Sequence, residues 1–377
     1  MERFIYFDHA ATSYPKPPEV LGAIKSAMLE KGGNPGRSSH RLSQEASRAI
    51  FECREAVCEL LSFNYPERIV FTQNTTYALN MAIKGIARPG SHILISNFEH
   101  NSVLRPVHAL SRTGRISYST FDATGTDEQT VFSFRHSIRD NTRLAVVTLA
   151  SNICGRILPI KEISTICKSK GITLIADGAQ AAGVMPLDFS LLGVDILCLA
   201  GHKGLYGPQG TGIMICSPDV EPEAIIEGGN GINSDDAEMN GLLPERLEAG
   251  TLNTPGICGL CAGIRYIIRE TPESVFAKNL KLTRYITEGL SVIDGIKLYG
   301  EYDIKAPVIL FNKRDIPCSR VSEILNDEGI FTRSGLHCAP LAHTAIGTAN
   351  NGGVRVSTGH TNTLSQAQRF LSVINKI

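Results

Sequence analysis

The sequence predicts an α/β fold: a large domain built on a mostly parallel seven-stranded sheet, followed by a smaller C-terminal α+β domain. Three observations carry this expectation. Seven short runs rich in apolar and β-branched residues recur between longer helical stretches, the pattern breaks after about residue 225, and a second set of strands and helices then runs to the end.

The seven runs are "RIVFT" (68–72), "HILIS" (92–96), "RISYST" (115–120), "RLAVVTL" (143–149), "ITLIA" (172–176), "DILCLA" (195–200) and "GIMIC" (212–216). Strands that alternate with helices predict a sheet covered on both faces. Ligands of such sheets sit at the carboxyl ends of the strands. The segment "EGGNGINSDDAEMNGLLPERLEAGTLNTPG" is long for a loop in a compact domain, which marks it as functional or mobile. Beyond it the spacing predicts a helix over about 257–291 and strands near "APVILFN", "GIFTRS" and "GVRVS". A helix from Ser319 to Asp327 is stopped by Gly329, and a closing helix starts at Thr363, with Gln366 in capping-box spacing. The expected domains are residues 15–256, and 257–377 together with 1–14.

At 377 residues and 42% hydrophobic content, the chain has the size and composition of a globular protein with a sizeable core. Its 37 basic residues balance 37 acidic ones, so no global field draws it to nucleic acid or an anionic membrane. No run approaches the roughly 18 apolar residues of a membrane span, and "MERFIYFDHAATSYPKP" has the composition of neither a signal nor a transit peptide. A cytoplasmic protein with a small-molecule partner is expected. The ten cysteines are scattered through apolar segments, which reads as reduced, buried thiols. Cys258 and Cys261 have C-x-x-C spacing, but no second pair completes a zinc site, and no metal is expected.

"LCLAGHKGLYGPQGTG" places Lys203 among glycines at the end of an apolar run. Its spacing is not that of a P-loop, and "GPQGTG" precedes a strand, so it is not a dinucleotide fingerprint. A covalent role or an ordinary turn remains. Other strand ends separate the two. Asp177 closes "ITLIAD", where a carboxylate can pair with a protonated ring nitrogen. Asn74, Thr75 and Thr76 open a helix after a strand, an arrangement suited to a phosphate. His100 can stack on a flat ring, and Asn152 and Gln180 can hydrogen-bond its substituents. Each alone is equally a cap or turn residue. Together they form the binding inventory of pyridoxal 5'-phosphate, with Lys203 as the covalent anchor.

The chain resembles the cysteine desulfurase family (NifS/SufS type) of class V, fold-type I pyridoxal-phosphate transferases. The resemblance runs from "YFDHAAT" through "FTQNTT", "EHNS", "SNICG", "ADGAQ" and "GHK" to "EAGTLNTPG", "RSGLHCA" and "GGVRVS". It implies that Lys203 bonds the cofactor, Asp177 holds its ring nitrogen, His100 stacks on the ring, and Gln180 and Asn152 contact the ring oxygen or substrate. His202, Thr75 and Thr76 would hold the phosphate with Thr251 of a second subunit, which implies a homodimer. Arg355 would bind the substrate carboxylate, with Arg333 assisting. Ala200 stands where the family often has Ser or Thr, which removes one phosphate hydroxyl, and Gly204 follows the lysine where the family commonly has another residue.

By the same resemblance, L-cysteine is converted to L-alanine, and Cys338 takes the sulfur as a persulfide. His337, His343 and Arg333 near Cys338 are a setting that favours thiolate. A buried free thiol in a turn is the ordinary alternative. The short segment from Cys338 to Arg355 resembles the group II branch and implies transfer to a docking protein acceptor, for iron–sulfur cluster or other sulfur pathways. A selenocysteine lyase using L-selenocysteine, another class V transaminase or lyase, and a non-catalytic scaffold relative are the competing readings.

Overall fold

The computed structural model describes residues 4–36, 38–231, 237–239, 241–300, 302 and 305–377. All seven expected runs form one sheet. Its order is Ile69–Thr72, Gly212–Cys216, Ile196–Ala200, Thr173–Asp177, Thr142–Thr148, His92–Ser96 and Ser117–Phe121. Only Gly212–Cys216 runs against its neighbours. The other pairings are parallel, so their carboxyl ends share one rim. Five of the strands are buried almost throughout, which is why they read as continuous apolar runs rather than alternating ones.

Helices cover both faces, and each face has its own apolar core. One core includes Leu174, Leu197, Ile213, Leu260 and Ile264; the other includes Ile175, Ile196, Met214, Leu79 and Ile83. Adjacent residues of one strand thus feed opposite faces, as the period-2 geometry of a strand requires.

The C-terminal part contains a second, antiparallel sheet in the order Arg333–Gly335, Gly353–Ser357, Val308–Lys313, Ile296–Tyr299. Its core draws on Leu282, Ile286, Phe311, Val356 and Phe370, and takes Ile5 and Phe7 from the N-terminus. Strand Ile5–Tyr6 pairs in parallel with Ile330–Phe331. That pairing carries the next residues, Asp8 to Ala11, toward the carboxyl rim of the large sheet.

The single helix expected over 257–291 is two helices, Thr254–Glu270 and Pro272–Ser291. Thr271 between them has φ +59°, and Pro272 cannot continue the first helix. Thr271 Oγ1 instead accepts the N–H of Ser274 and starts the second. Cys258 and Cys261 lie within the first helix, packed on Pro18–Glu30 and Arg41–Leu61. Among the described residues no cluster of three metal-ligating side chains occurs. The ten cysteines are free thiols, seven of them buried and Cys338 exposed. The closing helix Leu364–Ile374 has its capping box, with Thr363 and Gln366 each bonded to the other's backbone. Gly329 has φ +72° just after the helix Cys318–Asp327, a conformation that glycine adopts without a Cβ clash. The long segment after residue 225 contains a 3-10 turn at Glu245–Leu247, and 232–236 and 240 lie outside the described residues.

Candidate active site

At the carboxyl rim of the large sheet lies a cavity of about 210 Å³. Eleven of the thirteen candidate site residues line it: Asn74, Thr75, Thr76, His100, Asn152, Asp177, Gln180, His202, Lys203, Arg333 and Arg355. Cys338 and Thr251 do not. The cavity walls come from segments far apart in sequence, from Ala10 near the N-terminus to Arg355.

Lys203 sits in the turn after Ile196–Ala200. Burial lowers its amine to about 8, with Asp177 opposing and Arg355 and Arg333 assisting the shift. Two glycines make the turn possible. A Cβ on Gly204 would lie 2.3 Å from the Ala182 carbonyl oxygen, and one on Gly183, at φ +70°, would lie 2.2 Å from that of Gly204. Gly204 is therefore required by close packing against the segment that follows Gln180. Ala200 is buried and does not line the cavity.

Asp177 ends its strand with a carboxylate that is 4% exposed. Burial raises it above the ordinary carboxylate range, offset by the Ala179 N–H at 2.9 Å and by Lys203. A buried anion of this kind calls for a cationic partner. Asn74 caps the helix Thr75–Ile86 by accepting the N–H of Tyr77, so its oxygen is engaged, and the first-turn N–H groups of Thr75 and Thr76 are placed where a helix N-terminus favours an anion. Thr75 Oγ1 is buried with no hydrogen-bond partner.

His100 caps the helix Asn101–Arg112, its Nδ1 accepting the Ser102 N–H at 3.0 Å. That bond leaves the ring proton on Nε2. Burial, then Lys203, lowers its pKa to about 4. His202 is held at Nδ1 by Thr12 Oγ1 (3.1 Å) and is also lowered to about 4 by burial. Gln180 donates from Nε2 to the Ala10 carbonyl. Asn152 Nδ2 donates to the His337 carbonyl (2.8 Å), so this amide braces the cysteine loop as well as lining the cavity.

Arg355 is 1% exposed. Its Nη2 donates to Asp8 Oδ1 (2.6 Å) and its Nη1 to the Asn152 carbonyl (3.0 Å), while its buried Nε has no partner. Arg333, its cross-strand neighbour, reaches 3.9 Å from Cys338 Sγ. Cys338 is exposed between buried His337 and Ala339. His337 and Cys338 have φ of +49° and +57°, in the left-handed region that ordinary residues enter at a cost of about 1–3 kcal/mol.

Of the three residues expected to favour thiolate at Cys338, the two histidines contribute no charge. His337 Nε2 faces the Arg333 carbonyl, which only accepts, so it carries the proton. Its Nδ1 must then accept from His343 Nε2 (3.2 Å), and His343 Nδ1 accepts from the Thr348 hydroxyl (2.7 Å). Both rings are neutral, pushed by burial to about 3 and about 4. They brace the loop; Arg333 is the cation beside the sulfur.

Thr251 is exposed and outside the cavity. Asp8, Thr148 and Ser102 went unassigned in the sequence. "FDHAAT" was visible as a motif, but nothing local told that Asp8 meets Arg355.

These groups fit pyridoxal 5'-phosphate: a desolvated amine, a buried carboxylate for a ring cation, an unpartnered hydroxyl at a helix N-terminus, and an unpartnered buried arginine N–H for a carboxylate. The aminotransferase class-V family model matches residues 5–370. The chain belongs to this family, in its cysteine desulfurase branch. A probable cysteine desulfurase of Methanothermobacter thermautotrophicus is 33% identical over 99% of this chain and 94% of its own. One from Pyrococcus abyssi is 32% identical over 100% and 94%. The apo structure of the cysteine desulfurase from Thermococcus onnurineus NA1 superposes with a TM-score of 0.88, at 32% identity over 99% of this chain and 94% of that one. The family depends on pyridoxal phosphate, and its cysteine desulfurases imply L-cysteine as substrate and a sulfur acceptor. No helix among the described residues is long and apolar enough to cross a membrane.

Proposed function

We propose that the chain is a pyridoxal-phosphate-dependent cysteine desulfurase that works through Lys203 and Cys338, releasing L-alanine and leaving a persulfide on Cys338. The observation that carries the reading is the exposed Cys338 thiol, 3.9 Å from Arg333, beside a cavity that gathers Lys203, Asp177 and Arg355. Thr75, Thr76 and His202 would hold the phosphate, Asp177 the ring nitrogen, His100 the ring face, and Gln180 its oxygen. Pyridoxal phosphate, when bound, supplies an electron sink that makes the Cα proton of cysteine acidic and opens its Cβ–S bond to cleavage.

Arg355 fixes the substrate carboxylate, and Lys203, with an amine poised near 8, takes the Cα proton and later returns one. The Cys338 thiolate attacks the substrate sulfur. A sulfur–sulfur bond forms, the Cβ–S bond breaks, and its electron pair passes to the carbon that is protonated to alanine. Arg333 stabilises the attacking thiolate.

The loop is short and braced, which supports delivery to an acceptor protein that docks at Cys338. The exposure of Thr251 supports a homodimer in which it reaches the partner's phosphate site. The ten free cysteines support a reducing, cytoplasmic setting. We also divide the chain near Thr271 rather than near 256, since Ile257, Leu260 and Ile264 belong to the core of the large sheet.

The test is incubation of holoenzyme with L-cysteine, with alanine and Cys338-bound persulfide as readouts. Cys338→Ala is expected to keep the visible absorbance of the bound cofactor and to lose both products. Unchanged turnover in that variant overturns the mechanism.

A further inference from the structure

The substrate and product of this reaction carry the same α-carboxylate. A site that bound it with an unopposed buried arginine would hold alanine as firmly as cysteine, and tight binding of both does not speed turnover. The structure contains a device that addresses this. Arg355 and Arg333 are directly opposite on neighbouring strands, an unfavourable placement for like charges. Together with Lys203 they give the cavity three cationic groups against Asp177 alone. Asp8, which does not line the cavity, bonds Arg355 Nη2 at 2.6 Å, with side chains 19% and 1% exposed. Its backbone is fixed in turn, because the Tyr6 hydroxyl donates to the Asp8 carbonyl and Ser357 donates its N–H to Phe7.

We propose that Asp8 is a positioning residue that sets the affinity of Arg355 for the α-carboxylate. It holds the guanidinium in plane and offsets part of its charge, so that alanine leaves after each turnover. The inference rests on the desulfurase reading of the site. Orientation and charge are separable here: Asp8→Asn keeps an acceptor for Nη2 and removes the charge, whereas Asp8→Ala removes both.

The experiment titrates L-alanine into wild-type and variant holoenzyme, following the visible spectrum and the alanine-induced rise in melting temperature. In parallel, KM and kcat for L-cysteine are measured. Asp8→Asn is expected to bind alanine about threefold to tenfold more tightly, with KM lowered and kcat lowered as product release slows. Asp8→Ala is expected to bind alanine more weakly and to raise KM. A purely structural Asp8 would weaken binding in both variants, and that outcome, or unchanged affinity in Asp8→Asn, overturns the proposal. Should Asp8→Asn not accumulate as folded protein, Asp8→Ser, which removes the charge and keeps an acceptor, carries the same expectation. If wild-type holoenzyme makes no alanine from cysteine, the desulfurase reading fails separately, while the alanine titrations still report on the arginine. Wild-type protein that responds to neither amino acid overturns both.

Discussion

Lys203 and Cys338 are the two nucleophiles of the proposed mechanism, and the fold presents them by opposite means. Lys203 follows a strand whose five residues are all buried, in a turn packed so closely that a methyl group on Gly204 would collide with backbone. Desolvation there lowers the amine to about 8. Cys338 is exposed, with positive φ at itself and at His337, and its backbone and neighbours are held while its thiol stays open. Asn101 donates its N–H to the Cys338 carbonyl, Asn152 its amide to the His337 carbonyl, and the two histidines lock to Thr348 and Arg333. One nucleophile is tuned by being hidden; the other is kept reachable on a rigid mount. The proposed chemistry would account for the difference, since in it the lysine acts only inside the cavity while the cysteine has to face the substrate and then an acceptor.

The largest effect is expected from breaking the hidden side. Lys203→Ala removes the amine while leaving the exposed thiol in place, and kcat for alanine formation should fall by at least about a thousandfold. Its absorbance should change as well, because the cofactor loses its covalent attachment. Cys338→Ala should lose turnover with the absorbance intact. Identical spectra for the two variants would contradict the division of labour between them.

A smaller effect is expected from loosening the mount. Thr348→Val leaves the Nδ1 of buried His343 without its donor, at a cost of about 1–3 kcal/mol. Persulfide formation on Cys338 should slow by about threefold to tenfold, as measured by rapid alkylation of the free thiol, with cofactor absorbance unchanged. A parallel loss of absorbance would show that the loop and the cofactor cavity are not independent.

The hidden half was the more legible in sequence. Its strands are buried on both faces, so they appear as apolar runs, and their ends place Asp177, His100 and Lys203 by topology alone. The mount was legible only as residue types. "LHCAPLAH" shows two histidines near a cysteine, but His337 and Cys338 take left-handed backbone that no residue type there announces, and the direction of each ring was set by Arg333, Asn152 and Thr348. The break at Thr271 was signalled by Pro272 and was overridden by the apolar periodicity on either side. Asp8 gave no local signal, because its role depends on a residue 347 positions away. Pairings that only the tertiary fold creates leave no mark on a window of sequence.

The smallest expected effect separates the two halves by pH. In the chain Thr348–His343–His337–Arg333, each imidazole accepts at one nitrogen and donates at the other, so a second proton on either ring would set donor against donor. Their folded pKa values of about 4 and about 3 lie below the ordinary 6.5. The unfolded chain therefore binds protons that the folded one excludes. The stability this arrangement contributes is complete above 6.5 and is lost as pH falls below it, by up to about 1.4 kcal/mol per pH unit for His337 and less for the more screened His343. At the carboxyl ends of the large sheet's strands the sign is reversed. Glu99, fully buried, accepts from Ser96 Oγ and from the Thr148 N–H, and burial raises it to about 8. Its folded form keeps a proton that the unfolded chain releases above 4.5, so its contribution weakens as pH rises from 4.5 toward 8. Hydrogen exchange corrected for its intrinsic pH dependence should therefore accelerate in 333–349 between pH 7 and pH 5, while the strand Thr142–Thr148 stays protected. Glu99→Gln should flatten the loss of global stability between pH 5 and pH 8 and leave the acid opening of 333–349 unchanged. Uniform loosening of both regions on acidification would mean that the mount and the sheet unfold as one unit, and that the thiol is not held by a separately breakable support.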